Sequence, residues 1–268
     1  MTGIQEIYSE AVHVNFPLYF ANFPPNTAIR LGDYGDLHRD CFDRRGNVTD
    51  TFGVGIRSRS DPSAASTFEF RSGRSVSVTL RAKGDLLPSG IPAVKAGMGV
   101  DFSKGKSILF NAAGCTVESI EGIDSFGERL LDLFEQRRWE AGRVVVTSFI
   151  AATTLTLVIS GEAGASIDLE AEGDLSSIDL SQAGIKLRVK GERGLAAKYI
   201  TAEKTFPLVG LSCVQKRLFA PKFQSRHATH TPQIRVDIEA EAERIRASGG
   251  SIKEEFALVR IDDTQPHP

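Results

Sequence analysis

The sequence holds little cysteine, little tryptophan and no excess of charge. Three cysteines occur in 268 residues, at Cys41, Cys115 and Cys213. An odd, scattered set of this kind excludes a disulfide framework and a cysteine zinc site, and it fits a reducing interior. Lys and Arg number 32 against 34 Asp and Glu, a net charge of −2, so no basic footprint for nucleic acid exists. No apolar run approaches the ~20 residues of a membrane-spanning helix. The most apolar stretch, 144–159, is broken by Thr147, Ser148, Thr153, Thr154 and Thr156 and is rich in β-branched residues, which reads as strand. The start of the chain lacks the basic segment and apolar run of a signal peptide, and position 2 is Thr2, not the glycine of a myristoylation start. The expectation is a soluble chain as made, with no permanent membrane helix.

Catalytic signatures are missing too. No phosphate-binding loop, dinucleotide-binding glycine motif, serine nucleophile elbow or H-E-x-x-H helix occurs. His227 and His230 share a proline-bounded polar stretch with no cysteine or third histidine beside them, and they read as solvated. Cys41 has His38 nearby but no third member of a nucleophilic set. Asp168, Glu170 and Glu172 recur at period two, which reads as a charge ladder on a strand. Trp139 reads as a core anchor. No enzyme activity, cofactor or metal is expected.

What the chain does have is ample core material, 41% hydrophobic against 25% charged, and two conspicuous alternations. In residues 75–83, Val76, Val78, Leu80 and Ala82 alternate with polar neighbours that include Arg81 and Lys83. In residues 94–103, Val94, Ala96, Met98, Val100 and Phe102 alternate with Lys95, Gly97, Gly99 and Asp101. Residues 84–92, with two glycines and two prolines, join them as a hairpin. The pattern returns in 165–172, where Ala165, Ile167, Leu169 and Ala171 form one face. It returns again in 185–192, where Ile185, Leu187 and Val189 alternate with Lys186, Arg188 and Lys190. The acidic edge of one strand beside the basic edge of the other predicts a second hairpin, each opposed pair adding about 0.2–1 kcal/mol.

Around these hairpins the spacing predicts a helix over 4–14, turns at 32–36 and 45–47 between short strands, and an exposed loop over 57–66. Short strands follow at 108–110 and 116–120. A helix over 125–139 carries a Ser125/Glu128 capping box and ends at Gly142. One long strand is expected over 143–160, a polar connection over 173–184, and strands over 195–202 and 206–219. A basic linker over 221–232, a helix over 234–247 and a strand over 255–261 finish the chain. The fold class is α+β: a β-rich, mainly antiparallel twisted sheet with two long amphipathic hairpins and a few packing helices.

Two readings suit alternating hairpins of this sort. One is a half-buried sheet in a non-catalytic cytoplasmic β-rich interaction or assembly module. The other starts from strand length: about nine or ten residues per strand is what a tilted membrane-crossing strand needs. Mixed apolar faces would meet lipid and charged faces would line water. Strands cross lipid only in closed barrels, so several chains would have to share one.

The element order, with Arg143-Val-Val-Val-Thr-Ser-Phe-Ile-Ala through Ser160, the second hairpin, and Thr205-Phe-Pro-Leu-Val-Gly-Leu-Ser-Cys-Val-Gln-Lys-Arg-Leu, resembles the gasdermin pore-forming domain in its short bacterial and fungal form. The resemblance spans about residues 1–220. It departs from the many bacterial members with a lipidated cysteine near the N-terminus, since positions 2–10 hold none, and the first helix carries Glu6 and Glu10 without a lysine or arginine. The resemblance implies a pore-forming domain over 1–220, a cleavable linker over 221–232 containing Lys222 and Arg226, and an inhibitory segment over 233–268. It implies a non-enzymatic, autoinhibited protein. After release by a protease it would oligomerise and insert the apolar hairpin faces into membrane, causing cell death, as in antiviral defence. Its partners would be membrane lipids, an activating protease and copies of itself, in the cytoplasm when inactive and at the cell membrane afterwards. Arg81, Lys83, Lys95, Lys186, Arg188 and Lys190 are then the contacts for anionic headgroups or the pore lumen, each basic residue near the surface adding about 1 kcal/mol of attraction.

Overall fold

The computed structural model describes residues 3–38, 41–61, 67–86, 92–172, 178–216 and 232–261, with side chains described outside 81–86, 92–95, 216 and 232–237. Helix α1 (Ile4–Asn15) leads into strands β1 (Phe20–Ala21), β2 (Asp33–His38) and β3 (Cys41–Asn47), then α2 (Val48–Phe52), β4 (Ser58–Asp61) and β5 (Thr67–Arg71). The first hairpin is β6 (Val76–Leu86) and β7 (Pro92–Phe102). Strands β8 (Ile108–Ala113) and β9 (Thr116–Ile120), helix α3 (Ile123–Glu135), and strands β10 (Val144–Ala152) and β11 (Thr154–Ser160) follow. The second hairpin is β12 (Ala165–Ala171) and β13 (Leu187–Arg193), and β14 (Leu195–Thr201) and β15 (Thr205–Lys216) complete the body. The chain then adds α4 (Pro232–Ala247), α5 (Ile252–Glu255) and β16 (Phe256–Arg260). The fold is α+β and strand-rich, as the patterning predicts.

Three antiparallel sheets carry these strands. Sheet A runs β1-β15-β10-β2-β3, with β16 on β15, β9 on β10 and β4 on β9. Sheet B runs β14-β11-β8-β5, and sheet C runs β13-β12-β7-β6. The apolar run 143–160 is two strands, not one. Every residue of β10 and β11 is buried, which is why the run shows no alternation, and the chain passes from sheet A to sheet B at exposed Thr153. Gly114 fixes the crossing: at φ 60° a Cβ there would lie 2.1 Å from the Thr153 hydroxyl, while the Thr153 amide donates to the Ala113 carbonyl at 3.1 Å.

Helix α3 starts two residues before the expected position. Gly122, at φ 69°, stands at its N-cap without a side-chain bond, so Ser125 lies inside the first turn and the capping box does not form. The helix ends at Glu135, before Trp139 and Gly142. Arg137 takes φ 58°, the amides of Arg138 and Trp139 both donate to the Leu133 carbonyl, and Trp139 turns into the core beside Tyr34 and Phe52. Residues 58–61 of the expected loop form β4, paired with β9. Of the expected turn at 32–36, Asp33 to Asp36 belong to β2, where buried Asp33 accepts from Asn47 and meets Arg44 at 3.1 Å. Gly35 is required there, because a Cβ would lie 1.9 Å from the Asp43 carbonyl oxygen. Residues 45–47 finish β3, and the Asn47 side chain caps α2 by accepting from the Thr49 amide.

The cores follow the layers. Helix α1 buries Tyr8 and Val12 against sheet B, where Phe70 and Phe110 stack at 5.0 Å. Helix α3 buries Phe126, Leu130, Leu131 and Phe134 against sheet A. No helix among the described residues is long and apolar enough to cross a membrane. Truncating Leu130, which is fully buried, to alanine is expected to cost about 2–5 kcal/mol in chemical denaturation. Burial pushes the Cys115 thiol up to about 11. Alkylation of the native protein near pH 8 is therefore expected to reach half-exposed Cys41 long before Cys115, as peptide mapping would show.

Candidate functional site

The two hairpins lie side by side. Strand β12 pairs with β7, so the first and second hairpins form one continuous sheet C. The register collects the apolar positions in rows across it. Val76 faces Phe102 and then Ala165; Val78 faces Val100 and then Ile167; Leu80 faces Met98, Leu169 and Val189 in turn. A bulge between Asp168 and Leu169 on the β12–β13 ladder adds one residue to β13 and brings Val189 and Leu187 onto this face. A one-residue slip of any strand would turn that strand's whole apolar set to the opposite face, so the register is strongly specified.

This face packs on sheet B. Val76, Ala96, Met98, Val100, Phe102, Ile167 and Leu169 are buried in one cluster with Leu109 of β8 and Val158 of β11, and Val78, Leu187 and Val189 pack at its margin. Ile185 is also buried, two residues before β13 begins. Leu80 differs: it stands on the apolar face near the outer strand yet is 60% exposed. The side chains of Val94, Arg81, Lys83 and Lys95 lie outside the described residues, although their backbones pair in register, Lys83 with Lys95 and Gly84 with Val94.

The opposite face is polar. Arg188 stands across from Glu170, and the Lys190 ammonium reaches the Glu170 carboxylate at 2.9 Å, so the acidic and basic edges meet as the sequence predicts. Lys186 and Arg188 are exposed. Asp168, Glu170 and Glu172 form a strand-edge ladder, with Asp168 opposite Gly191 and the Glu172 amide donating to the Lys186 carbonyl. No group of three His, Cys, Asp or Glu able to hold a metal occurs among the described residues. Cys41 pairs in register with His38 and lies 3.5 Å from the Ser9 hydroxyl. His227, His230, Lys222 and Arg226 lie outside the described residues, as does most of the 221–232 linker.

Two features were not legible in the pattern. Strands β6 and β7 have 11 residues each, longer than expected, but β12 and β13 have seven each, shorter than the nine or ten expected. The connection 173–184 is also not wholly polar, because Ile178 is buried in the sheet B–sheet C cluster and Leu180 packs against it. One isoleucine and two leucines in a largely polar stretch were the available signal.

The C-terminal segment is docked, not appended. Strand β16 extends sheet A by pairing with β15, from Ser212↔Arg260 to Lys216↔Phe256. Ala242, Ile245, Ile252 and Phe256 join the α3 core, with Phe256 edge-on to Phe134 at 5.3 Å. Polar contacts surround this patch. Arg246 donates to the Phe134 carbonyl at 2.6 Å and lies over the Phe134 ring. Glu239 accepts from the Ala141 amide at 2.8 Å, and Lys253 meets Asp132 at 2.6 Å, a bond that raises the lysine's pKa. Phe256→Ala is expected to cost about 3–5 kcal/mol and to speed amide exchange across residues 252–260 more than across sheet C, as hydrogen-exchange mass spectrometry would show.

No protein-family model matches the chain, and no curated protein matches it. Among solved structures the chain is similar to a bacterial gasdermin from Bradyrhizobium tropiciagri, at 14% identity over 79% of this chain and 87% of that one, with a TM-score of 0.33. At that score the match is loose, and the functional reading that follows rests on sheet C itself.

Proposed function

We propose that this chain is an autoinhibited pore-forming protein whose sheet C is the membrane-inserting element. The observation that supports this most is the register that gives two sequence-distant hairpins one shared apolar face and one charged face. Eleven residues at ~3.4 Å each, tilted by about 45°, span roughly 26 Å, close to the apolar band of a membrane barrel. The seven residues of β12 and β13 span less. Insertion would lengthen them by drawing Ile178 and Leu180 out of the core, turning the 173–184 connection into strand.

Energetics set the conditions for such a change. Exposing seven fully buried apolar side chains to water would cost on the order of 10–20 kcal/mol, as large as the whole stability of a typical domain. Sheet C therefore leaves sheet B when lipid replaces that burial and neighbouring copies pair its edges. In this proposal the 233–268 segment holds the closed state by covering α3 and the edge of β15, and a protease acting in 221–232, where Lys222 and Arg226 lie, releases it. Residues 1–220 are then the pore-forming domain, acting with membrane lipids and copies of the chain; Lys186 and Arg188 meet headgroups or the lumen, with Arg81, Lys83, Lys95 and Lys190. The route runs from the cytoplasm to the cell membrane.

Leu80 separates this reading from a plain interaction module. It is exposed in the closed protein, so Leu80→Lys is expected to leave the fold's stability nearly unchanged. On a lipid-facing barrel surface the same lysine costs about 2–4 kcal/mol in every subunit. Protein cleaved within 221–232 is expected to release dye from acidic vesicles and to form rings in electron micrographs. The cleaved Leu80→Lys variant is expected to lose at least tenfold in release rate. Cleaved protein that stays monomeric and leaves vesicles intact contradicts the proposal and favours the interaction module.

A further inference from the structure

Helix α3 does not close completely over sheet A. Between it and strands β9, β10, β15 and β16 lies a cleft of about 560 Å³, within the range of small-molecule sites. Its floor is a patch of hydroxyls, from Ser119 on β9, Thr147 and Ser148 on β10, and Ser212 on β15. A break in the β10–β15 register at Thr147 lets the Thr147 and Ser212 hydroxyls bond to each other at 2.9 Å.

Ser148 has no such partner. It is 6% exposed, and its hydroxyl makes no hydrogen bond among the described residues. An unmatched buried hydroxyl costs about 1–3 kcal/mol, and a bound polar group is one of the things that relieves that cost in native proteins. Ser148 stands opposite Gly210 in the ladder, and a Cβ on Gly210 would lie 2.2 Å from the Ser148 hydroxyl and 3.1 Å from the Arg260 Nη2. The serine hydroxyl and the guanidinium thus flank one bare stretch of backbone. Arg260 is held there by donating to the Leu18 carbonyl at 3.1 Å and by lying 5.2 Å from the centre of the Tyr19 ring. The α3 side of the cleft carries opposite charge, with Asp124 and Glu128 one turn apart and exposed, beside apolar Ile123 and Leu131.

We propose that this cleft binds a free α-amino acid with an apolar side chain. Its carboxylate lies between the Ser148 hydroxyl and the Arg260 guanidinium, its ammonium faces Asp124 and Glu128, and its side chain packs on Ile123, Leu131 and Leu258. A simple carboxylate would leave Asp124 and Glu128 facing no positive group of the ligand, and a simple amine would leave the Ser148 hydroxyl unmatched. A zwitterion meets both ends.

Ala257, Leu258 and Arg260 belong to β16, so one wall of the site comes from the segment assigned above to inhibition. This regulatory consequence rests on the proposed function. A ligand gripped by both parts is lost when they separate, so at 100 times its Kd it favours the closed state about 100-fold.

Titrating the full chain with leucine, N-acetylleucine and 4-methylpentanoate, read by thermal unfolding and by amide NMR shifts, tests the site. Leucine is expected to raise Tm saturably and to move the amides of Ser119, Ser148 and Leu258, and the two analogues are expected to bind at least tenfold more weakly. Ser148→Ala removes an unmatched hydroxyl, so it is expected to fold at least as stably as the parent and to weaken leucine about tenfold. The assignment is overturned if no apolar amino acid shifts either signal, if Ser148→Ala binds leucine like the parent, or if 4-methylpentanoate binds as well as leucine. These readings do not depend on membrane activity. Leucine that binds and also slows dye release after cleavage supports the regulatory coupling, and leucine that binds without slowing release from an otherwise leaky preparation refutes the coupling while keeping the site.

Discussion

The burial of one apolar sheet face on another governs this molecule. Sheet C is amphipathic on its own terms, and in water it exists because sheet B covers its apolar side with Leu109 and Val158 and because Ile178 closes the gap between them. Everything proposed about function turns on whether that cover is permanent. A face built from Val, Ala, Met, Ile and Leu with one phenylalanine is chemically suited to a protein core and to lipid alike, so its composition does not choose between them. The energetic argument does limit the choice: the face cannot open to water, and any second conformation must exchange one apolar partner for another.

The C-terminal segment shows how such an exchange could be held back. Its anchors, Phe256, Ile252 and Ala242, enter the α3 core, while Arg246, Glu239 and Lys253 tie its surface to the helix and the loop after it. Phe256, Ile252 and Ala242 belong to the α3 cluster and not to the one beneath sheet C. Coupling between the two would run through sheet A, where β15 carries β16 on one side and β10 on the other, and β10 continues through Thr153 into the sheet that covers sheet C. The continuous chain from β10 to β11 is the covalent link between the docked segment's sheet and the sheet it would control.

Much of this architecture was readable in the amino-acid order. Period-two alternation located all four strands of sheet C, because each has one wet face and one dry one. The acidic residue Glu170 and the basic residues Arg188 and Lys190 announced their pairing. Helices α1, α3 and α4 followed from apolar spacing. What escaped was set by tertiary context. The division at Thr153 could not be read because both β10 and β11 are buried on both faces and so carry no alternation. The true start of α3 was set by Gly122 in a left-handed conformation, not by a serine cap. Strand β4 is short and polar because it pairs at a sheet margin. The side-by-side placement of the two hairpins, which matters most for function, depends on the β7–β12 register and has no local signature. The hydroxyl floor beneath α3 was equally invisible, since Ser119, Ser148 and Ser212 come together from three separate strands.

The central claim is that the apolar face of sheet C moves from sheet B into lipid. The most direct test places an environment-sensitive fluorophore in turn at Met98, Gly99, Val100 and Asp101 of the cleaved protein and adds vesicles containing a lipid-chain quencher. The account predicts alternation: positions 98 and 100 quenched from within the bilayer, positions 99 and 101 quenched by aqueous iodide. Four positions that ignore the lipid quencher, or respond to it without alternating, would contradict it.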